Sequence, residues 1–354
     1  MAFALNTTIP AQALRYPRLR FMGNKHRLLP WIHSVLQGLE FETALDAFSG
    51  SGCVGYLLKC MGKEVTSNDF LNFSYQWANA LVANRERTLP EETLDALLRS
   101  NRRRRHFIAR TFNGIFYTPQ ENDFLDNVWA NLADLADPFE RSIALAALSR
   151  ACLKKQPRGV FTTITAGNGK YDDGRGDLRL PFREHFRRSV QLINDLVLDN
   201  GRQNRARRGD VFDLPEGHYD LVYFDPPYVP RSDDNCYIKR YHFLEGLSCY
   251  WAGLPVKSDS VVRKIPKRYT PFSYRRTSLD AFRQLFRRFR NSIIVLSYSS
   301  NGYPDKEILI RLLEEVKGRD NVVVETENHT YHFGSHAGVN EQRKRVQEYL
   351  FIAN

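Results

Sequence analysis

Apolar positions fall into short continuous runs near both ends of the chain, and into three- and four-residue spacing between them. Residues 43–48 form an apolar stretch short enough for a buried strand, and it enters Ser49-Gly50-Ser51-Gly52 directly. Residues 54–60 then carry helical spacing and 64–68 read as the next strand, so residues 43–69 predict a β-α-β unit. From about residue 71 to 198 the pattern is mainly helical, clearest over 143–153 and 186–198. Between those helices, residues 162–177 hold Gly167, Gly169, Gly174 and Gly176 with Lys170 and Arg175, the composition of a mobile surface loop. Strand-like runs resume at 209–212, 219–224, 292–297, 321–326 and 346–352. The simplest assembly is an α/β sheet built from both ends of the chain, residues 1–85 and 200–354, with a mainly helical insertion over 86–199. No internal repeat or low-complexity tract interrupts it.

Composition narrows the class. The 354 residues are 42% hydrophobic and 26% charged, the balance of a soluble globular protein. No apolar run approaches the ~18 residues of a bilayer span, so no membrane partner is expected. Residues 1–20 lack an apolar core followed by a small-residue cleavage site, so secretion is not expected either. Cys53, Cys60, Cys152, Cys236 and Cys249 contain no C-x-x-C pair, which argues against disulfide and zinc frameworks and for a reducing cytoplasm. Fifty-one Lys and Arg against forty Asp and Glu leave +11, which points to a polyanionic partner without naming it.

Two motifs carry chemistry. Gly50, Gly52 and Gly55 satisfy G-x-G-x-x-G between a strand and a helix, and Asp69 closes the next strand, placed to accept ribose hydroxyls. With Asp46 and Phe48 this suits a dinucleotide or S-adenosylmethionine; glycines that only pack helix on strand are the plain alternative. The second motif is Asp225-Pro226-Pro227-Tyr228, at the end of the apolar run 219–224. Prolines stop a strand in any case. Downstream of Phe48-Ser49-Gly50-Ser51-Gly52, however, this tetrapeptide resembles the amino-methyltransferases that use S-adenosylmethionine.

The residue types suit that chemistry. An exocyclic amine conjugated to a ring is a poor nucleophile, so its lone pair must be held toward the methyl group. Asp225 can accept one amine hydrogen and the Pro226 carbonyl the other. Tyr228 can stack on a base swung out of the duplex. No cysteine follows a proline, so the covalent route of cytosine C5 methylation is not expected.

The segment from Arg20 through Phe21, Met22, Gly23, Asn24 and Lys25 to Pro30 is similar to the amino-terminal motif of Dam-type, alpha-group DNA adenine methyltransferases, departing from it at Phe21 and Met22. The order of motifs matches that group as well. The resemblance implies a Rossmann-like class I methyltransferase sheet, with the insertion as target-recognition domain. It implies Phe21, Gly23 and Lys25 at the methionine end of the cofactor, Lys25 near its carboxylate, and Asp210 on its adenine amine. Residues 241–251 resemble the helix after the catalytic loop, and residues 348–352 the last strand. Double-stranded DNA is the implied partner, and a cognate restriction endonuclease would act separately.

Three basic clusters could meet phosphates: 102–105 with Arg110, 202–208, and 263–276, where Tyr269, Phe272 and Tyr274 are interleaved. From these, Arg102, Arg103, Arg268 and Arg275 are the candidate DNA contacts; Lys154, Lys155, Arg158, Lys170 and Arg175 join them from the insertion. His329, His332 and His336 lack a cysteine or paired carboxylate, and amine alkylation needs no metal, so no metal site is expected. The expectation is methyl transfer from S-adenosylmethionine to adenine N6 in duplex DNA. Cytosine N4 or RNA adenine as target, a non-catalytic DNA-binding protein of the same fold, and a nicotinamide dehydrogenase are the alternatives.

Overall fold

A computed structural model describes residues 8–167, 172, 174–215, 219–229, 236–333 and 342–354. Among these residues the strands are β1 (Thr43–Asp46), β2 (Glu64–Asp69), β3 (Arg205–Arg208), β4 (Leu221–Phe224), β5 (Ile293–Ser299), β6 (Val322–Phe333) and β7 (Gln342–Ala353). They form one sheet in the order β3-β2-β1-β4-β5-β7-β6. The pairs from β3 to β5 are parallel, while β7 runs antiparallel to both β5 and β6. From β1 the chain builds outward through β2 and β3, then returns to the other side of β1 for β4 and β5. Such a reversal opens a crevice above the carboxyl ends of β1 and β4. In register, Asp46 lies opposite Tyr223, two residues before Asp225, so both carboxylates reach that crevice.

Sequence and structure agree on β1, the Cys53–Cys60 helix and β2, and they differ on β3. The predicted strand at 209–212 is instead a turn: Gly209 N–H closes onto the Asp69 carbonyl, and Asp210 caps a short 3-10 helix, Val211–Asp213. The strand comes earlier, as Arg-Ala-Arg-Arg. It is a sheet edge whose arginines point largely to solvent, so it carries no apolar run to betray it.

One face of the sheet is covered by the helices Arg275–Arg288 and Lys306–Lys317, whose Phe282, Leu285, Phe286 and Leu309 pack on Val222, Phe224 and Leu296. The predicted helix at 143–153 lies in Pro138–Lys155; that at 186–198 corresponds to Phe182–Asn194, which ends four residues earlier than predicted. The first begins where Asp137 caps it with Pro138 in the opening turn. Among the described residues, no strand interrupts β2 and β3. The helices there share one continuous core with the second sheet face: Leu125, Ile143, Leu148 and Phe186 belong with Ala44, Val65 and Tyr223. Polar ties reinforce this, with Trp77 Nε1 donating to Ser149 Oγ at 3.0 Å and Asn79 Nδ2 to Ser142 Oγ at 2.8 Å.

The predicted mobile loop at 162–177 is fixed at its start, because Thr165 and Ala166 N–H both donate to the Ile115 carbonyl. Residues 168–171, including Lys170, and residue 173 lie outside the described residues. Among the described residues no helix is long and apolar enough to cross a membrane.

Candidate active site and cofactor cleft

The strand ends, the loops that follow them and the amino-terminal segment enclose a cleft of about 890 Å3, part of it open to solvent. Phe21, Gly23, Lys25, Asp46, Phe48, Gly50, Asp69, Asp210, Asp225 and Pro227 line it, so one wall gathers residues from across the chain.

The glycine loop divides its labour. Gly50 has φ +51°, and a Cβ there would stand 3.1 Å from the Phe21 ring, so its backbone forms the cleft floor. Gly52, at φ +81°, faces away: a Cβ would meet the Tyr16 hydroxyl at 2.7 Å, and that hydroxyl donates to the Ser51 carbonyl. Gly55 packs the helix on the sheet, since a Cβ would lie 2.3 Å from Ser67 Oγ. Only the first glycine of the motif therefore borders the cleft.

Two buried acids brace this loop. Asp46 accepts the Gly55 N–H at 2.9 Å. Burial, with the charge of Asp225 beside it, pushes the Asp46 carboxyl up to about 8. Asp69 accepts Gly50 N–H and Leu71 N–H, each at 2.8 Å and each on a different oxygen. Burial outweighs those bonds and raises it to about 6. Asp210, which caps its own turn, completes the row of acids.

Around Asp225 the amino-terminal segment folds in. Phe21 stacks on Tyr241 with centroids 4.7 Å apart, and the Tyr241 hydroxyl accepts the Met22 N–H at 2.7 Å. Asn24 caps the turn that begins at Lys25. The Lys25 ammonium, buried, donates to Asp225 Oδ1 at 2.7 Å, to the Tyr228 hydroxyl at 3.0 Å and to the Gly23 carbonyl at 3.2 Å. The Tyr228 hydroxyl donates to the same Asp225 oxygen at 3.1 Å, and its ring packs edge-on to Tyr298. Burial raises Asp225 against the opposing pull of Lys25 and Tyr228. Burial is the largest influence on Lys25 and works against its charge, but Asp225, joined by Tyr228, Tyr223 and Glu348, together outweighs it and holds the ammonium above the ordinary lysine range. Lys25 thus meets the carboxylate of the Asp-Pro-Pro-Tyr turn, a contact that sequence reading, which set it against the cofactor, missed.

The remaining sequence candidates are scattered. Arg102, Arg103 and Arg158 are exposed. Lys154 pairs with Asp177 at 2.9 Å and Lys155 with Glu121 at 2.7 Å, so both ammonium groups are already engaged. Arg175 donates to the Pro157 carbonyl at 3.0 Å. Arg275 lies over the Tyr303 ring, and Tyr303 pairs with Val229 beside the Asp-Pro-Pro-Tyr turn. Arg268, expected on DNA, lines the cleft with Tyr269, Thr270 and Phe272. Sequence reading also passed over Tyr237, which lines the cleft beside Gly23; aromatic residues at helical spacing give no sign of which ones border a ligand. Among the described residues, no group of three or more His, Cys, Asp and Glu is placed to hold a metal; His336 and the side chain of His332 lie outside them.

A reversed, mainly parallel sheet with a ligand-sized cleft at its switch point and a prolyl turn at the rim defines a Rossmann-like fold. Residues 21–299 match the D12 class N6 adenine-specific DNA methyltransferase family, and the chain belongs to that family. It is 28% identical over 350 residues to the type II methyltransferase M2.HphI of Haemophilus parahaemolyticus, covering 96% of this chain and 98% of that protein. It is 23% identical to the modification methylase LlaI of Lactococcus lactis subsp. lactis, over 94% of this chain. Identity to the modification methylase StsI of Streptococcus sanguinis is 24%, over 84% of this chain. The chain spans about half the length of these last two relatives, 54% and 46%. The protein is a DNA adenine methyltransferase.

Proposed function

We propose that the cleft takes S-adenosylmethionine and that Asp225, Pro226, Pro227 and Tyr228 hold a flipped adenine for methylation at N6 within a short duplex sequence. The donor set fits the cofactor. With Asp46 protonated at neutral pH and Asp225 paired with Lys25, Asp69 and Asp210 are the acids left to face a ligand carrying a sulfonium and an ammonium, in a protein of net charge +11. Ser49 Oγ and Asn68 Oδ1, both buried at the lining, have no hydrogen-bond partner among the described residues. Phe21, Gly23, Asp46, Phe48 and Gly50 would hold the methionine half, and Asp69 and Asp210 the ribose and adenine. When bound, this cofactor supplies an electrophilic methyl group.

The carrying observation is the bonding of Lys25 and Tyr228 to one oxygen of Asp225. A carboxylate fixed on Oδ1 presents Oδ2 as acceptor for one hydrogen of the target amine. The Pro226 carbonyl accepts the other, which turns the nitrogen lone pair toward the cleft. The acidic product amine releases its proton once alkylated, with Asp225 the nearest acceptor. Tyr228 contributes its face to the base.

The modification methylases among the relatives support a place in restriction-modification, with an endonuclease acting separately. Residues 86–199, including exposed Arg102, Arg103 and Arg158, would supply target recognition. The test is Asp225→Ala, assayed with labelled S-adenosylmethionine on duplex DNA and nucleoside analysis of the product. Loss of N6-methyladenine is expected, and near-normal transfer would sink the mechanism.

A further inference from the structure

The segment between the Tyr237–Cys249 and Arg275–Arg288 helices read from sequence as a basic, aromatic DNA contact. Its residues 268–270 and 272 also border the cleft: Arg268, Tyr269, Thr270 and Phe272 line the same cleft as Asp69 and Phe70. Phe272 is 1% exposed and roots the segment: its ring stacks on Phe212 at 5.7 Å with planes 2° apart, and meets Phe48 edge-on at 5.4 Å. The Arg268 guanidinium lies 5.0 Å over the Phe70 ring, and its Nη1 donates to the Phe70 carbonyl at 3.4 Å. Phe70 directly follows Asp69, the acid expected at the ribose. The outer side of the segment is Tyr269, 58% exposed and stacked on Tyr274 at 5.5 Å.

We infer that residues 268–272 form the outer wall of the cofactor's nucleoside subsite, with Arg268 latching that wall to Phe70 and thereby retaining the cofactor. The inference rests on the S-adenosylmethionine reading above. A guanidinium stacked on a ring and bonded to the carbonyl beside it is held at the cleft rim by both contacts. A purine nucleoside entering between Phe272 and Phe70 must part that contact, and leaving must part it again. Removing the latch therefore speeds both exchange directions and weakens retention most.

The experiment uses the full chain, with dissociation of labelled S-adenosylmethionine followed after dilution into unlabelled cofactor. Arg268→Ala is expected to raise the dissociation rate about tenfold, the size of a modest cation–π contact with its hydrogen bond. Phe70→Leu is expected to do the same, and the double variant to add little beyond either single one. Affinity for duplex DNA, measured separately, is expected to change less than about twofold, because each lost phosphate contact would show as a weaker salt dependence. An unchanged dissociation rate in Arg268→Ala overturns the inference, and a fall in DNA affinity in its place returns Arg268 to the phosphate backbone. Failure of the unaltered protein to bind the cofactor at all defeats the underlying reading, whereas normal binding with unaffected variants defeats only the latch.

Discussion

Lys25 donates to Asp225 at 2.7 Å across 200 positions of sequence, joining the amino-terminal segment to the Asp-Pro-Pro-Tyr turn. Removing one partner of a buried ion pair leaves the other uncompensated and costs about 3–5 kcal/mol. For Lys25→Ala the cost falls on Asp225, whose carboxyl is already raised by burial and loses its main opposing influence. A protonated Asp225 no longer accepts from the target amine. The acid limb of the kcat/KM profile is therefore expected to move to higher pH in Lys25→Ala, with a rate loss of about 100-fold at neutral pH. Stopped-turnover methylation across pH measures it; a uniform loss without displacement of the limb would assign Lys25 to structure alone.

The first and last glycines of the motif separate by mechanism. In Gly55→Ala the new Cβ lies 2.3 Å from Ser67 Oγ and 2.9 Å from Asp46 Oδ2, a clash that repacking relieves at a cost of about 1–3 kcal/mol. Gly50→Ala instead meets a φ of +51° and the Phe21 ring, at the cleft floor. Urea denaturation is expected to register Gly55→Ala chiefly as lost stability. Cofactor titration is expected to register Gly50→Ala chiefly as lost affinity, and the reverse assignment would refute this division.

How much of this was legible in the sequence follows from what each residue touches. Asp46, Gly50, Asp69 and Asp225 announce themselves because a parallel strand must end in a turn, and a polar residue there has few structural reasons to exist. The edge strand Arg205–Arg208 is silent, since its pairing with β2 is made by the backbone ladder and one ion pair from Arg205 to Glu64, and its side chains face largely to solvent. Lys25 was visible as a cation near the site, but its partner depends on how the amino-terminal segment folds over β4, which no local pattern encodes. Lys154 and Lys155 read as available charges for the same reason: Asp177 and Glu121 are brought to them only by the tertiary fold. Arg268 is ambiguous for a different reason. An arginine among aromatics looks alike whether the ring it covers belongs to a base or to Phe70.

Asp46 makes stability depend on pH. Unfolded, its carboxyl titrates near ~3.9; folded, burial carries it to about 8. Between those values the folded chain holds a proton that the unfolded chain has released, so rising pH favours unfolding across the window and the contribution is lost as pH passes 8. Asp69, raised to about 6, adds the same sign over the lower part. Urea midpoints at pH 5 and pH 8 are expected to fall more in the unaltered protein than in Asp46→Asn, which keeps an acceptor for Gly55 N–H without the titration. Equal falls in the two proteins would place the Asp46 proton elsewhere.

Exposed and engaged cations should behave differently on DNA. Arg102 and Arg103 are exposed just beyond the Glu91–Leu98 helix, while their neighbour Arg104 is drawn back onto Asp123 at 2.9 Å. Each phosphate contact contributes about 0.9 to the slope of log affinity against log salt on duplex DNA. The double variant Arg102→Ala with Arg103→Ala is expected to flatten that slope by about 2, with little change in preference among sequences. Lys154→Ala is expected to leave the slope nearly unchanged, since its ammonium already neutralises Asp177. Filter binding between low and physiological salt distinguishes them. A slope changed only by Lys154→Ala would mean that the Asp177 pair opens on DNA, and that the phosphate-facing surface lies at the end of the Pro138–Lys155 helix instead.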